Sequence, residues 1–417
     1  MVKPLFALLI IFARLSLAQG AELSWEDCVR EAAENNPSIR AAHRNLDAAV
    51  FDERAAYRGF FPEVNGALTY GRSGADSGGV ALTQDAYGAQ ITASQNVFNG
   101  LADAGRVAQA KAAAERSRAA LDATKASLSY DLKAAFAGML YAQSYRSLAE
   151  QIVKRREDNL SLVGLRFDNG SENKGSVLLS KANLEQAKLE ALQARNALDT
   201  ARTELARVLG RDEFEPLKLN GTVPTAPPTR NFDLRALASQ TPTQKQALAN
   251  EKSADAGVTV ARAGFFPSLN LTGSTGRGGP EFFPRDSRWS VGVALNVPLF
   301  SGGSTYYGTK SALRLNEAAT LNRENTYRAE TQKLNQAFAA FEQTAQRLEV
   351  DKAFAEASQV RATIGRQRYN NGLLTFENWD VIESDLINRQ KSLIQSQRDR
   401  VTSEAAWEAA QGKGVFQ

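Results

Sequence analysis

Gly59-Phe60-Phe61-Pro62 and Gly264-Phe265-Phe266-Pro267 are two copies of one stretch, and the fold is decided by what surrounds them. Each copy closes a polar run with helical spacing and opens a short alternating segment rich in Thr, Ser, Gly and aromatic residues. A change of period from 3.6 to 2 marks the point where a helix gives way to a strand. Pro breaks the incoming helix and Gly permits the bend. A second pair of landmarks, Arg166-Phe167-Asp168-Asn169-Gly170 and Arg368-Tyr369-Asn370-Asn371-Gly372, follows roughly 100 residues later in each half. Both pairs recur at nearly one offset, about 200 residues, which is the signature of a duplicated unit.

Downstream of Pro62, Val64, Leu68 and Tyr70 alternate with Asn65, Ala67 and Thr69, giving a strand with one apolar and one polar face. A Gly/Ser loop is expected over 71–84, then a second strand over 87–98, completing a hairpin within 63–99. That second strand sets Tyr87, Ala89, Ile91 and Ala93 against Gly88, Gln90, Thr92 and Ser94. The other copy places a hairpin within 268–301: Leu269 and Leu271 alternate with Asn270 and Thr272, and a loop carries Gly279-Pro280 and Phe282-Phe283. A strand over 289–300 then turns Trp289, Val291, Val293, Leu295 and Val297 one way, with Ser290, Gly292, Ala294 and Asn296 opposite. Strands of about 9–11 residues with aromatic ends fit an outer-membrane β-barrel. The competing reading is an edge hairpin of a soluble domain.

Residues 101–167 and 304–369 contain no Pro and are rich in helix formers. At ~1.5 Å per residue each makes a rod of about 100 Å, which needs a sustained partner face. Leu121, Leu128, Leu132, Phe136 and Leu140 supply a stripe, flanked by Ala123, Ala126, Ala134, Ala135 and Ala137. The partners are an incoming and a returning helix in each half, over 37–58 and 176–209, then 243–263 and 375–411. One long helix thus pairs with two shorter ones stacked end to end, and Gly170 and Gly372 sit at the reversals as C-caps. At the start, Ser24 is the expected N-cap, with Glu26 and Asp27 in the first turn and Asn36-Pro37 dividing the segment into two helices.

The chain of 417 residues therefore divides into a leader at 1–18, a first repeat at 19–212, a linker at 213–231, a second repeat at 232–412 and a tail at 413–417. The linker holds Pro216, Pro224, Pro227 and Pro228, with a short strand expected at 217–219. The leader reads as a signal peptide: a basic start, an apolar core over 5–17, and Ser16-Leu17-Ala18 as a small-x-small cleavage site. The apolar run is shorter than the ~20 residues a membrane-spanning helix needs, and no later segment approaches that length. No Cys follows the site closely, so a lipid anchor is not supported. An exported chain with no spanning helix is periplasmic, secreted or a β-type membrane protein.

The net charge is +4, and two of those charges, Lys3 and Arg14, belong to the leader. The remainder is close to neutral and gives no nucleic-acid signal. One Cys, Cys28, and one His, His43, exclude an internal disulfide framework and leave little for a His/Cys metal cluster; both read as packing or surface residues. No nucleophile, base and orienting group can be assembled, so no catalytic residue and no cofactor is assigned. Gly276-Arg277-Gly278-Gly279 lacks the strand-then-helix context of a phosphate loop and reads as an external loop.

The duplicated order of helix, Gly-Phe-Phe-Pro, strand hairpin, long helix, Arg-(Phe/Tyr)-x-x-Gly turn and returning helix resembles the TolC family of outer-membrane efflux channels, as does the Glu-Asn-Asn-Pro-Ser near the start. That resemblance implies an α+β membrane protein. Long α-helical hairpins would form a periplasmic α-barrel continuous with a transmembrane β-barrel, with four strands per protomer in a homotrimer. Four strands alone cannot close, whereas three protomers give 12, above the minimum of about 8. The implied function is passive conduction through the outer-membrane exit duct of a tripartite efflux or type I secretion system. The implied partners are a periplasmic adaptor (membrane fusion) protein, an inner-membrane transporter and outer-membrane lipid, in a Gram-negative outer membrane.

By the same resemblance, the turns at Arg166, Phe167, Asp168, Asn169 and Gly170 and at Arg368, Tyr369, Asn370, Asn371 and Gly372 form the periplasmic tip and dock the adaptor. Relatives often narrow the pore with an acidic ring on the returning helix. Here Ser176 and Asn378 occupy the positions six residues past the turn glycines, so Glu377 and Asp380 are the candidate constriction. Without a ring, Glu377, Asp380, Glu383 and Asp385 read as a solvated helix face. Gly59, Phe60, Phe61 and Pro62, with Gly264, Phe265, Phe266 and Pro267, mark the helix-strand junction at the lipid interface. The rival is a soluble periplasmic coiled-coil adaptor, which has no use for four alternating strands; an adhesive surface protein would lack the duplication.

Overall fold

The computed structural model describes residues 22–77, 80–211 and 218–416, so the expected leader lies outside the described residues. The chain splits into two compact units, one made of Met1–Asn36, Tyr130–Pro228 and Phe341–Ala405, the other of Pro37–Ser129, Thr229–Ala340 and Ala406–Gln417. Each unit draws segments from both sequence halves.

In the first unit, β1 (Glu22–Leu23) pairs in parallel with β4 (Lys218–Leu219), the described part of the short strand expected in the linker. Helix α1 (Trp25–Asn35) starts in a capping box: the Ser24 hydroxyl accepts from the Asp27 N–H at 3.2 Å, and the Asp27 carboxylate accepts from the Ser24 N–H at 3.3 Å. The apolar side of α1 carries Trp25, edge-on to Phe136 at 5.4 Å, and fully buried Cys28. Burial pushes the Cys28 thiol up to about 12, which leaves it a packing residue. His43 is exposed. Pro37 opens α2 (Pro37–Ala56), as the Asn36-Pro37 break requires, and this helix belongs to the second unit.

The two long helices are α3 (Ala102–Asp168) and α7 (Ser304–Asn370), each 67 residues long. The returning helices are α4 (Lys174–Leu209) and α8 (Phe376–Ala410). Leu121, Leu128, Leu132 and Phe136 are buried as the stripe predicted, but Leu140 is only half-buried and Met139 takes the fully buried position. A fours-and-sevens pattern drifts around a straight 3.6-residue helix, so the buried face moves back by one residue along a long rod.

In the second unit, α6 (Pro242–Arg262) is preceded by a short helix, α5 (Leu234–Gln240), that the sequence reading lacked; Asp233 caps it. Phe232, Phe338 and Trp407 form a three-ring cluster with centroids 4.9–5.2 Å apart. The strands β2 (Glu63–Ser77), β3 (Val80–Asn99), β5 (Ser268–Gly279) and β6 (Asp286–Asn296) form one antiparallel sheet in the order β2-β3-β5-β6. The first hairpin exceeds the sequence expectation: described residues of 71–84 are paired strand, as in Arg72 opposite Asp85 and Gly74 opposite Thr83. Gly and Ser in a ladder read as a loop by composition, although cross-strand pairing overrides that propensity. For the same reason Gly276-Arg277-Gly278-Gly279 is not an external loop but the end of β5. The last strand stops at Asn296 rather than at 300, because Pro298 has no N–H to give the ladder.

Strand returns to long helix through matched joints. Asn99 Oδ1 accepts from the Asp103 N–H, and Ser301 Oγ accepts from the Thr305 N–H. A Cβ on Gly59 would lie 2.3 Å from the Asp103 carboxyl carbon, and one on Gly264 would lie 3.0 Å from the Thr305 methyl. These glycines admit the first turn of the following helix; neither has the positive φ of an unusual bend. The turns that do are Gly302 and Gly303, at 62° and 84°, and in the first copy Gly100 and Leu101, at 66° and 71°. Leu101 thus holds a left-handed conformation that its counterpart fills with Gly, at a cost of roughly 1–2 kcal/mol. Replacing Leu101 by Gly is expected to stabilise the protein by up to ~1 kcal/mol once glycine's greater unfolded freedom is deducted. A melting temperature that fell would refute this reading.

Candidate functional site

The tip turns are built by hydrogen bonding that the sequence encodes in Gly and Asn. At the end of α3, Gly170 (φ 71°) allows the Ser171 N–H to reach the Arg166 carbonyl at 2.8 Å, and Asn173 Oδ1 then caps α4 at the Ser176 N–H, 3.0 Å away. At the end of α7, Gly372 (φ 72°) lets the Leu373 N–H reach the Arg368 carbonyl at 2.9 Å, and Thr375 caps α8.

The two turns are tied together. Arg166 Nη1 donates to the Tyr369 carbonyl at 2.7 Å, and its guanidinium lies 4.6 Å over the Tyr369 ring. Tyr369 stacks on Trp379 at 4.3 Å and 6°, and its hydroxyl donates to Glu172 at 2.9 Å. Burial first, then that hydrogen bond, hold the phenol well above its ordinary range. Val163, Tyr369, Phe376 and Trp379 form a buried cluster. Tyr369 was expected on the docking surface, but its side chain is fully buried: an aromatic ring between two helices is worth more against Trp379 than in water. Arg166 is half-buried and engaged within the chain. Phe167, Asp168, Asn169, Gly170, Arg368, Asn370, Asn371 and Gly372 are exposed. The sequence reading missed Glu172 and Trp379; the aromatic pair Phe376 and Trp379, three apart and just past the turn, was the available signal.

Of the four α8 acids that read as a solvated face, Glu377 is exposed, Asp380 and Asp385 are half-buried and Glu383 is buried. Glu383 is fully buried and takes a two-point ion pair from Arg155, with Nε at 2.5 Å and Nη2 at 3.2 Å. Asp380 pairs with Arg156 at 3.0 Å and accepts from Asn183 at 3.1 Å. Asp385 faces Arg389 at 3.3 Å. Arg155 and Arg156, on α3, come from the other repeat, so sequence spacing on α8 alone could not reveal the pairing. Of the two candidate constriction acids, Glu377 is exposed and Asp380 is neutralised locally.

The sheet separates its side chains as the alternation requires. In register, Leu68 faces Ala89 and Tyr70 faces Tyr87, while Leu271 faces Val293 and Leu269 faces Leu295. This apolar side stays uncovered within the chain: Leu68 is 88% exposed, Trp289 79%, Val291 71% and Val293 69%. The other side carries Asn65, Thr69, Gln90, Thr92, Thr272 and Ser290. The junction rings Phe60, Phe61, Phe265 and Phe266 are also more than half exposed. No helix among the described residues is long and apolar enough to cross a membrane, and no described group of three or more His, Cys, Asp or Glu could hold a metal ion.

Residues 28–211 and 234–413 match the family model described as outer membrane efflux protein. Over 403 residues the chain is 24% identical to a Pseudomonas putida protein named antibiotic efflux pump outer membrane protein ArpC, covering 92% of this chain and 81% of the relative. It is 26% identical over 366 residues to outer membrane protein OprJ of Pseudomonas aeruginosa, covering 82% and 74%. The crystal structure of the Campylobacter jejuni CmeC outer membrane channel superposes with a TM-score of 0.84 at 16% identity, covering 94% of this chain and 86% of that one. The outer membrane protein VceC of Vibrio cholerae superposes at 0.83 with 20% identity, covering 94% and 97%.

Proposed function

Because the chain belongs to the outer membrane efflux protein family, we propose that it is the passive exit duct of a tripartite efflux or secretion system in a Gram-negative outer membrane, working with a periplasmic adaptor and an inner-membrane transporter. The observation that carries this reading is the sheet. One of its sides is apolar and uncovered, the other is polar, and among the described residues β2 and β6 each keep one edge without a partner. A bilayer does not tolerate open strand edges or unsatisfied backbone groups, so such a sheet belongs in a closed barrel. The described residues contribute one four-stranded sheet. The smallest single-chain barrels need about 8, and three copies give 12. Apolar side chains then meet lipid and the polar side lines water. A soluble adaptor would have no reason to leave Trp289, Val291 and Val293 bare. Within the family this is the work of a channel and not of an enzyme.

The experiment is to extract the protein from outer membranes in detergent, measure its mass, and reconstitute it in planar bilayers. A trimer with stepwise conductance is the expected result; a monomer with no conductance would overturn the proposal. At the tip, the exposed residues of the two turns are the proposed adaptor contact. For the constriction, Glu377 and Asp380 would ring the entrance after threefold repetition. The Asp380 pairing with Arg156 makes Glu377 the stronger contributor. Replacing Glu377 by Ala should reduce cation preference severalfold through loss of local charge, and replacing Asp380 should do less. Unchanged reversal potentials in both variants would remove the assignment.

A further inference from the structure

Residues 280–285, between β5 and β6, do not extend away from the sheet but fold back over its apolar side. The Phe282 ring meets Tyr87 edge-on at 5.6 Å, Phe283 meets Phe282 at 4.9 Å, and Tyr87 lies 4.9 Å from Tyr70. With Leu68 and Pro284 these rings wall an open groove of about 610 Å³. Phe282 and Phe283 are 70% and 79% exposed, a large apolar area to leave in water.

Charge at the rim narrows the occupant. The register sets Arg277 opposite Ala89, on the same side of the sheet as Tyr87 and beside the groove. Arg277 is exposed, and among the described residues no carboxylate pairs with it. Nearby, Arg72 and Arg285 hold Asp85 and Glu281 only at 3.7 and 3.6 Å, long enough for either to turn to another anion. A hydrocarbon alone would have no use for the arginine, and a soluble anion would have no use for four rings. Resting on the duct reading above, which turns this side of the sheet toward lipid, we propose that the groove binds a phosphorylated, multiply acylated glycolipid of the outer leaflet, of lipid A type. An acyl chain lies against Tyr70, Tyr87, Phe282 and Phe283, and a phosphate meets Arg277 as a charge-assisted pair.

The test uses the full-length protein purified in an uncharged detergent, with lipid A quantified by mass spectrometry before and after add-back. The arms are lipid A, its dephosphorylated form and phosphatidylethanolamine. The wild-type protein should retain lipid A and melt several degrees higher with it than with either other lipid. Arg277→Gln and Phe282→Ser/Phe283→Ser should each retain at least tenfold less. Both alter exposed side chains, and their melting without added lipid checks that they are folded. Equal retention by the variants, or equal stabilisation by dephosphorylated lipid, would overturn the site. So would a photo-crosslinker at position 283 that captured polypeptide instead of lipid. If the wild-type trimer conducts but shows no preference for lipid A, the site falls and the duct reading stands; a protein that neither trimerises nor conducts sinks both.

Discussion

Replacing Arg155 by Ala is expected to destabilise the first unit by about 4–5 kcal/mol, and the reciprocal Glu383→Ala by less, near 3 kcal/mol, within the range measured when one partner of a buried pair is removed. The asymmetry follows from exposure. Glu383 is fully buried, so losing Arg155 strands a carboxylate whose remaining donor is Asn159 at 3.5 Å. Arg155 keeps 26% of its side chain exposed and can turn to water when Glu383 is lost. Melting temperatures of the purified variants, ranked against wild type, read this directly. The double replacement Arg155→Met/Glu383→Leu should recover most of the loss, because desolvating a pair offsets much of its Coulomb gain and apolar side chains of similar size do not carry that cost. If Glu383→Ala proved the more damaging, the buried carboxylate would not be the residue that depends on its partner. The pair also has a mechanical consequence. It joins α3 to α8, helices from different repeats: Arg155 stands on α3 ahead of the first reversal and Glu383 about two turns into α8, just past the second. A duct that widens at this end must strain or break it, so both single variants should show higher open probability in bilayers than wild type.

Most of the architecture was legible because its signals are long or repeated. Helices of 67 residues without Pro leave few alternatives, and Gly170 and Gly372 mark the reversals that end them. The strands were legible only where alternation was strong. Beyond Gly71 the first hairpin is Gly- and Ser-rich, and pairing with the neighbouring strand, which no single segment encodes, carries it on as strand. The candidate site was less legible still. Tyr369 stands in an Asn- and Gly-rich turn motif and reads as surface; it is buried because Trp379 and Arg166 close over it from other helices. Glu383 reads as one acid among several on a polar helix, and its burial depends on Arg155, more than two hundred positions away. Periodicity reports which side of a helix is apolar; it does not report which distant arginine reaches a carboxylate.

Replacing Trp379 by Ala is expected to cost about 3–5 kcal/mol, the range for a large aromatic removed from a packed site. Trp379 is 1% exposed, and its ring carries Tyr369, which in turn holds Arg166 through its face and its carbonyl, and Glu172 through its hydroxyl. Removing the indole therefore loosens both turns and not only the helix that bears it. Trypsin reports this, because Arg166 and Arg368 flank the affected segment: in the variant, cleavage there should quicken at least tenfold relative to sites on α4. The conservative change Trp379→Phe separates packing from hydrogen bonding. The indole Nε1 is buried and finds no acceptor among the described residues. A phenyl ring thus gives up volume but no hydrogen bond, and should cost less than ~1.5 kcal/mol while leaving the cleavage rate near that of wild type. Should Trp379→Phe prove as damaging as Trp379→Ala, the stacking account would fail. Should Trp379→Ala leave the turns protected, the tie between them would have to rest on Arg166 and the Tyr369 carbonyl alone.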